Sequence, residues 1–369
     1  MIYLDHAATT QPTEAVKTAV LRSFGLFGNP SSLHSLGIEA EREISSVRGI
    51  LAKTIGANGG KIIFTSGGTE ANNLMCGVAK KHKGRRIVTT NAEHSSVLEP
   101  LKGLKDFEIF YLPINGEGVV CHKALQKALE EPTCLVSIHH ANNETGVIQD
   151  IATLGRIIKQ SSPQTLFHVD AAQSFCKIPI NVSHAQVDLL TISAHKIGGL
   201  KGVGALYIGK GINLPPLIKG GGQENNLRSG TENVAGIMSL GAAIQSFQPL
   251  IAPLKEIFLN SLKLGGVNVN GENASPYILN ISIEDIRPEV LLNALSQQNV
   301  YISSGAACSA NKRQKETTSA VILSYGLGAK RAGTAVRLSF VHSNTPEEMT
   351  QTAEIITQTI TSLRGIKKL

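Results

Sequence analysis

Between residues 61 and 209, short apolar runs alternate with segments long enough to be helices, and this rhythm restricts the fold more than any other property of the chain. KIIFT (61–65), RIVTT (86–90), CLVSIHH (134–140), LFHVD (166–170), VDLLTIS (187–193) and GALYIG (204–209) each read as a strand. Helical spacing surrounds them. Ala40, Ile44, Val47, Leu51 and Ile55 recur at three- and four-residue steps before the first strand, and TEANNLMCGVAKKH (69–82) reads as the helix after it. Strands separated in this way predict βαβ units, hence an α/β fold with a mainly parallel central sheet flanked by helices. Ligands in such sheets bind beyond the carboxyl ends of the strands. The residues directly after each run are therefore the ones to inspect.

Past a helical stretch near 229–247 the texture changes. PYILNISIE (276–284) and TAVRLSF (334–340) read as strands around a helix in RPEVLLNALSQQ (287–298). A last helix is announced by Thr345 as N-cap, Pro346 at N1 and Glu348 placed for a capping box. At 369 residues the chain exceeds what one hydrophobic core supports. The expected division is a large domain over 13–255 and a smaller α+β domain over 256–369 that also takes in residues 1–12.

With 42% hydrophobic and 17% charged residues the chain is not expected to be disordered, and no apolar run is long enough to span a bilayer. The net charge of +7 raises the question of an acidic partner. There is no arginine-rich stripe with interleaved aromatics and no Trp, so direct nucleic-acid binding is not expected. The five cysteines are odd in number and form no C-x-x-C pair, which argues against a disulfide framework or a zinc site. The opening MIYLDHAATTQP has neither a basic n-region nor an arginine-rich leader, and a cytoplasmic location is expected.

The strand ends carry the chemistry. After KIIFT, Gly67 and Gly68 of SGGTE let a ligand approach the backbone, and a helix beginning at Thr69 offers N–H groups suited to a phosphate. His94 follows RIVTT, and Asn143 sits in the ANNETG turn after CLVSIHH. Asp170 ends the apolar run LFHVD, where an acid must cap a helix or serve a site, with Gln173 one turn on. Lys196 follows VDLLTIS, flanked by Ser193 and His195; partial desolvation of its amine would permit Schiff-base chemistry. A phosphate cradle, an acid able to pair with a pyridinium nitrogen, a ring-stacking histidine and a reactive lysine are together what pyridoxal 5′-phosphate requires.

The string YLDHAATT, FGNPSSLHSLG, TSGGTEANN, AEHSS, NNETG, HVDAAQ, SAHK, KGVGALY, RSGTEN, SSGAACSA and VRLSF runs through the whole chain. In that order it resembles the NifS/IscS-like cysteine desulfurases of the class-V aminotransferase superfamily, enzymes of the fold-type I pyridoxal-phosphate class. The resemblance implies that Lys196 holds the cofactor, Asp170 pairs with its ring nitrogen and His94 stacks on the ring. Asn143 and Gln173 would contact the ring hydroxyl region, while Gly68, Thr69, Ser193 and His195 would hold the phosphate. Thr231 would reach the phosphate of the other subunit of a homodimer. Arg337 would clamp the carboxylate of L-cysteine, and Cys308 would take the sulfur as a persulfide, leaving alanine. The sulfur would then pass to an acceptor protein, an iron–sulfur scaffold or a tRNA-thiolation enzyme. Relatives of the IscS type carry a segment like LEPSYVL soon after the cysteine. Here Cys308 is followed by SANKRQKETTSAVIL, about three residues longer, with Lys312, Arg313 and Lys315 placed either to lower the thiol pKa or simply to be solvated. A selenocysteine lyase or another aminotransferase of the same fold is the alternative reading. A non-catalytic subunit of a sulfur-transfer complex is a remote one.

Overall fold

The computed structural model describes residues 1–81, 84–305 and 318–366. After the short β1 (Ile2–Tyr3) come the strands of a seven-stranded sheet: β2 (Lys61–Thr65), β3 (Arg86–Thr90), β4 (Glu108–Leu112), β5 (Thr133–His139), β6 (Leu166–Asp170), β7 (Leu189–Ser193) and β8 (Gly204–Ile208). Their spatial order is β2–β8–β7–β6–β5–β3–β4, and only the pairs made by β8 are antiparallel. The mainly parallel sheet predicted from the sequence is therefore present.

Alternate side chains leave a strand on opposite faces, and both faces here are covered. Ile62, Phe64, Val88, Val136 and Leu190 pack on one side against helices Ser35–Thr54, Ile151–Ser161 and Val234–Ser246. Ile63, Ile87, Leu135, Leu189 and Leu206 pack on the other, against Leu74, Met75, Val97 and Leu101 of helices Gly68–Met75 and Ser95–Lys102. Helix Ile151–Ser161 comes so close to the turn before β7 that a Cβ on Gly155 would collide with the Ala185 carbonyl. Gly155→Ala is expected to cost about 1–3 kcal/mol through overpacking, read as a lower urea midpoint. An unchanged midpoint would mean that this turn yields freely.

The second half adds β9 (Val267–Val269), β10 (Ile278–Ile283), β11 (Val300–Tyr301) and β12 (Ala335–Ser339). β12, β10 and β9 form an antiparallel sheet, whereas β11 pairs in parallel with β1. Phe258, Leu291, Leu295, Met349, Ile356 and Ile360 cover this sheet, and Ile2 and Leu4 join the same core. The last helix, Pro346–Ile366, starts with the reciprocal capping box: Glu348 N donates to Thr345 Oγ1 at 3.2 Å and Thr345 N donates to Glu348 Oε2 at 3.3 Å.

Two expectations change in detail. The helix predicted over 69–82 is α-helical only to Met75 and tightens into a 3-10 helix over Cys76–Lys81. Gly77 lies there so close to the Pro215 ring that a Cβ would meet it at 2.9 Å. The run 187–193 becomes strand only at Leu189, because the Asp188 carboxylate instead accepts from Phe167 N and Lys159 Nζ.

Candidate active site

The carboxyl ends of β2, β3, β5, β6 and β7, with the amino end of β8, open on one cavity of about 530 Å³, a volume suited to a cofactor with its substrate. Gly68, Thr69, His94, Asn143, Asp170, Gln173, Ser193, His195, Lys196 and Arg337 all line it. Thr231 is exposed and does not. Cys308, with Lys312, Arg313 and Lys315, lies outside the described residues. A cleft of about 600 Å³ between helices Glu14–Ser23, Ser35–Thr54 and Val234–Ser246 offers less chemistry, since its two charged side chains, Arg22 and Glu43, pair with one another.

At the β2 end, Gly67 has φ 152° and ψ −179°, a conformation open only to glycine. Helix Gly68–Met75 begins there without a side-chain cap, which leaves its first turn facing the cavity as an anion cradle. At the β6 end, Asp170 Oδ1 accepts from Ala172 N at 2.9 Å and Oδ2 accepts from Asn72 Nδ2 at 2.9 Å. Asn72 Nδ2 also reaches Ser96 Oγ at 2.8 Å, which lies 2.8 Å from His94 Nδ1. Asp170 and His94 are thus tied together through Asn72 and Ser96, two residues the sequence did not single out. Because His94 Nδ1 accepts from Ser96 N at 3.1 Å, its ring proton sits on Nε2. Beneath Asp170, His168 is wedged between Ser137 and Thr191, and burial pushes its pKa down to about 4, so it stays neutral.

Lys196 ends a single 3-10 turn after β7. Its Nζ donates to Ala7 O at 2.7 Å and Ala8 O at 2.9 Å, and Gln173 Nε2 donates to the same Ala7 carbonyl. The N-terminal loop is fastened across the site by Thr10 N, which donates to His195 O. Burial, aided by Lys196, Lys201 and Lys177, pushes His195 down to about 4 and leaves it uncharged. Arg337, on β12, is 2% exposed; Nη2 donates to Asp5 Oδ1 and Nη1 to Asn143 O, both at 2.7 Å.

Lys177 is held near these cations, and burial followed by repulsion from Lys196 and Arg337 lowers its pKa from 10.5 to about 7. The unfolded chain therefore binds more protons between about pH 7 and 10.5, so this group's contribution to stability rises with pH across that window and its penalty is greatest at or below about pH 7. Lys177→Met is expected to raise the thermal midpoint at pH 7, with the gain over wild type shrinking towards pH 10.5. A gain independent of pH would contradict the assignment.

Gln173 Oε1 and His139 Nε2 are buried atoms of cavity-lining side chains with no protein partner, as is Arg337 Nε. Buried polar atoms demand partners, so the cavity is built for a polar occupant. An anion cradle, a carboxylate, a lysine and these orphan atoms fit pyridoxal phosphate. Among the described residues no cluster of His, Cys, Asp and Glu could hold a metal ion, and no helix is long and apolar enough to cross a membrane.

The fold and the site define a fold-type I pyridoxal-phosphate enzyme, and the sequence matches the profile of the Aminotransferase class-V family over residues 2–351. The chain belongs to that family, within its NifS/IscS-like group. It is 41% identical to the cysteine desulfurase IscS of Dictyoglomus turgidum, with 99% of this chain and 96% of that protein aligned. A solved NifS-like protein superposes with a TM-score of 0.88 at 34% identity, over 98% of this chain and 99% of that one. The structure of SspA in complex with cysteine superposes with a TM-score of 0.82 at 33% identity, over 94% and 100% of the two chains.

Proposed function

We propose that this chain is a cysteine desulfurase that converts L-cysteine to L-alanine and places the sulfur on Cys308 as a persulfide. The observation that carries the reading is the convergence of Lys196, Asp170 and Arg337 on one cavity, from β7, β6 and β12. When bound, pyridoxal phosphate supplies the electron sink that lets the Cα–H and C–S bonds of cysteine break. Lys196 anchors the cofactor and then moves the α-proton, its amine being held at the strand end by two carbonyls. Asp170 holds the proton of the ring nitrogen, and Asn72 and Ala172 N keep its carboxylate aimed. His94 stacks on the ring. Asn143 and Gln173 bind around the ring hydroxyl, and Gly68, Thr69, Ser193 and His195 hold the phosphate. Arg337 binds the substrate carboxylate with the guanidinium edge left by Asp5 and Asn143 O. The Cys308 thiolate attacks the substrate sulfur, an S–S bond forming as the C–S bond breaks.

Several features support the place given to Cys308. Gly305, three residues before it, lies so that a Cβ would be 3.4 Å from Glu144 Oε2. Ser319 Oγ donates to that same oxygen at 2.6 Å. Ser303 exchanges backbone hydrogen bonds with Arg337. Ser303 and Gly305 thus lie beside Arg337 and Glu144, and three residues reach at most about 11 Å.

The exposed Thr231 suits a residue that serves the other subunit of a homodimer. We assign residues 13–255 to cofactor binding and 256–369, with 1–12, to presenting Arg337 and Cys308. The sulfur recipient is an iron–sulfur scaffold or a tRNA-thiolation enzyme, in the cytoplasm. In the test, Cys308→Ala is loaded with cofactor and given L-cysteine with a reductant. The absorption band of the bound cofactor should persist while sulfide release falls at least about 100-fold, as expected when a nucleophile is removed. Full activity in that variant would remove Cys308 from the mechanism.

A further inference from the structure

Beside Asp170 stands a histidine that the mechanism above does not use. His139 is the last residue of β5 and pairs in register with Asp170 on β6. Cross-strand partners leave the sheet on the same face, and His139 lines the cavity with its side chain 6% exposed. Its Nδ1 donates to Glu93 Oε1 at 2.8 Å, and that oxygen also accepts from Thr90 Oγ1 at 2.8 Å. Glu93 is itself buried. The ring is thereby locked by a carboxylate behind it, while Nε2 is buried without a partner.

Whether Nε2 donates or accepts depends on the charge of the ring. Burial opposes a charge, but attraction to Glu93, the hydrogen bond to it and the nearby Asp170 together outweigh burial and raise the pKa of His139. Its neighbour His140 is pushed down to about 4 by burial and by His139, so it contributes no competing charge. His139 thus holds a proton on each nitrogen more firmly than an ordinary histidine does. A buried N–H beside a ligand cavity, fixed in direction and lacking an acceptor, is a recognition element waiting for one.

We propose that His139, oriented by Glu93, is a substrate- or cofactor-contacting residue whose Nε2–H donates to an anionic oxygen of the molecule bound in the cavity. The proposal rests on the cofactor reading above. The oxygen belongs either to the ring of the cofactor or to the carboxylate of the substrate, and separate measurements distinguish the two.

The single variant His139→Met leaves a buried Glu93 carboxylate unpaired and is expected to be unstable for that reason alone. The double variant Glu93→Gln/His139→Met removes both charges and should recover the wild-type thermal midpoint. Affinity of the apoenzyme for pyridoxal phosphate is measured by equilibrium dialysis, and KM for L-cysteine on the saturated enzyme. If the oxygen is on the ring, the double variant binds pyridoxal phosphate about 10- to 100-fold more weakly, the usual worth of a charge-assisted hydrogen bond. If it is on the substrate, cofactor affinity is unchanged and KM rises by that factor. His139→Gln, which keeps a donor, should stay within a few-fold of wild type in both. A stable double variant with wild-type affinity and KM overturns the proposal. Wild-type protein that fails to bind pyridoxal phosphate would instead overturn the cofactor reading.

Discussion

Lys196→Ala is expected to abolish alanine formation from L-cysteine, with a fall of at least about 1,000-fold, and to erase the visible band of the lysine-bound cofactor. The size follows from the two roles proposed for Lys196, anchoring the cofactor and moving the α-proton, since general acid–base catalysis alone contributes about 10²–10⁴-fold. The geometry leaves no replacement. Lys196 Nζ is fixed by the Ala7 and Ala8 carbonyls on the cavity wall, directly after β7. Lys201 also lines the cavity, but it is exposed, and Lys201→Ala should retain the band. The carbonyls of Ala7 and Ala8 lose a donor in Lys196→Ala, so a small loss of stability should accompany the loss of activity. A Lys196→Ala enzyme with more than a tenth of wild-type turnover would place the reactive amine elsewhere.

The second large effect is expected at Arg337. Arg337→Lys should raise KM for L-cysteine by about 30- to 100-fold, because a lysine ammonium cannot reproduce the planar fork that grips a carboxylate. The local structure makes this sharper than at an exposed arginine. Asp5 and Asn143 O already engage Nη2 and Nη1, while Nε is buried without a partner. The fork is thus held in one orientation with donor capacity to spare. A lysine ammonium drawn to Asp5 keeps donors but offers the substrate carboxylate no planar pair of them. Cofactor affinity should change little, which separates this variant from Lys196→Ala. A raised cofactor dissociation constant with unchanged KM would move Arg337 from the substrate to the cofactor.

Much of this was legible in the sequence, for definite reasons. β2, β3 and β6 occupy the residues expected because each is a short run with β-branched or aromatic residues at its centre, flanked by turn residues, and all but its first residue is buried. β4, EIFYL, is an equally apolar run missing from the strands expected, and it lies half-buried on the sheet edge; β9 is only three residues long. The reversed direction of β8 leaves no trace in composition, since an apolar run reads the same either way. At the site, the rule that ligands lie beyond strand ends gathers nine candidate residues around one cavity, and the family resemblance adds Arg337 from the middle of β12. It misses Asn72 and Ser96, which sit inside helices rather than at strand ends and act by linking Asp170 to His94. It also misses His139, whose significance comes from its register with Asp170 across the sheet and its bond to Glu93 on a different turn. The paired histidines closing an otherwise apolar run were the available signal. What they do depends on neighbours that no local spacing reveals.

The most direct test of the whole account is the product balance from L-cysteine. Purified protein loaded with pyridoxal phosphate is incubated with L-cysteine, once without a thiol reductant and once with it. Without reductant, alanine should appear in a burst of about one equivalent per chain as sulfur fills Cys308. With reductant, alanine and sulfide should continue to form in equal amounts. Pyruvate and ammonia in place of alanine, or continuing turnover without reductant when Cys308 is replaced by Ala, would contradict the assignment.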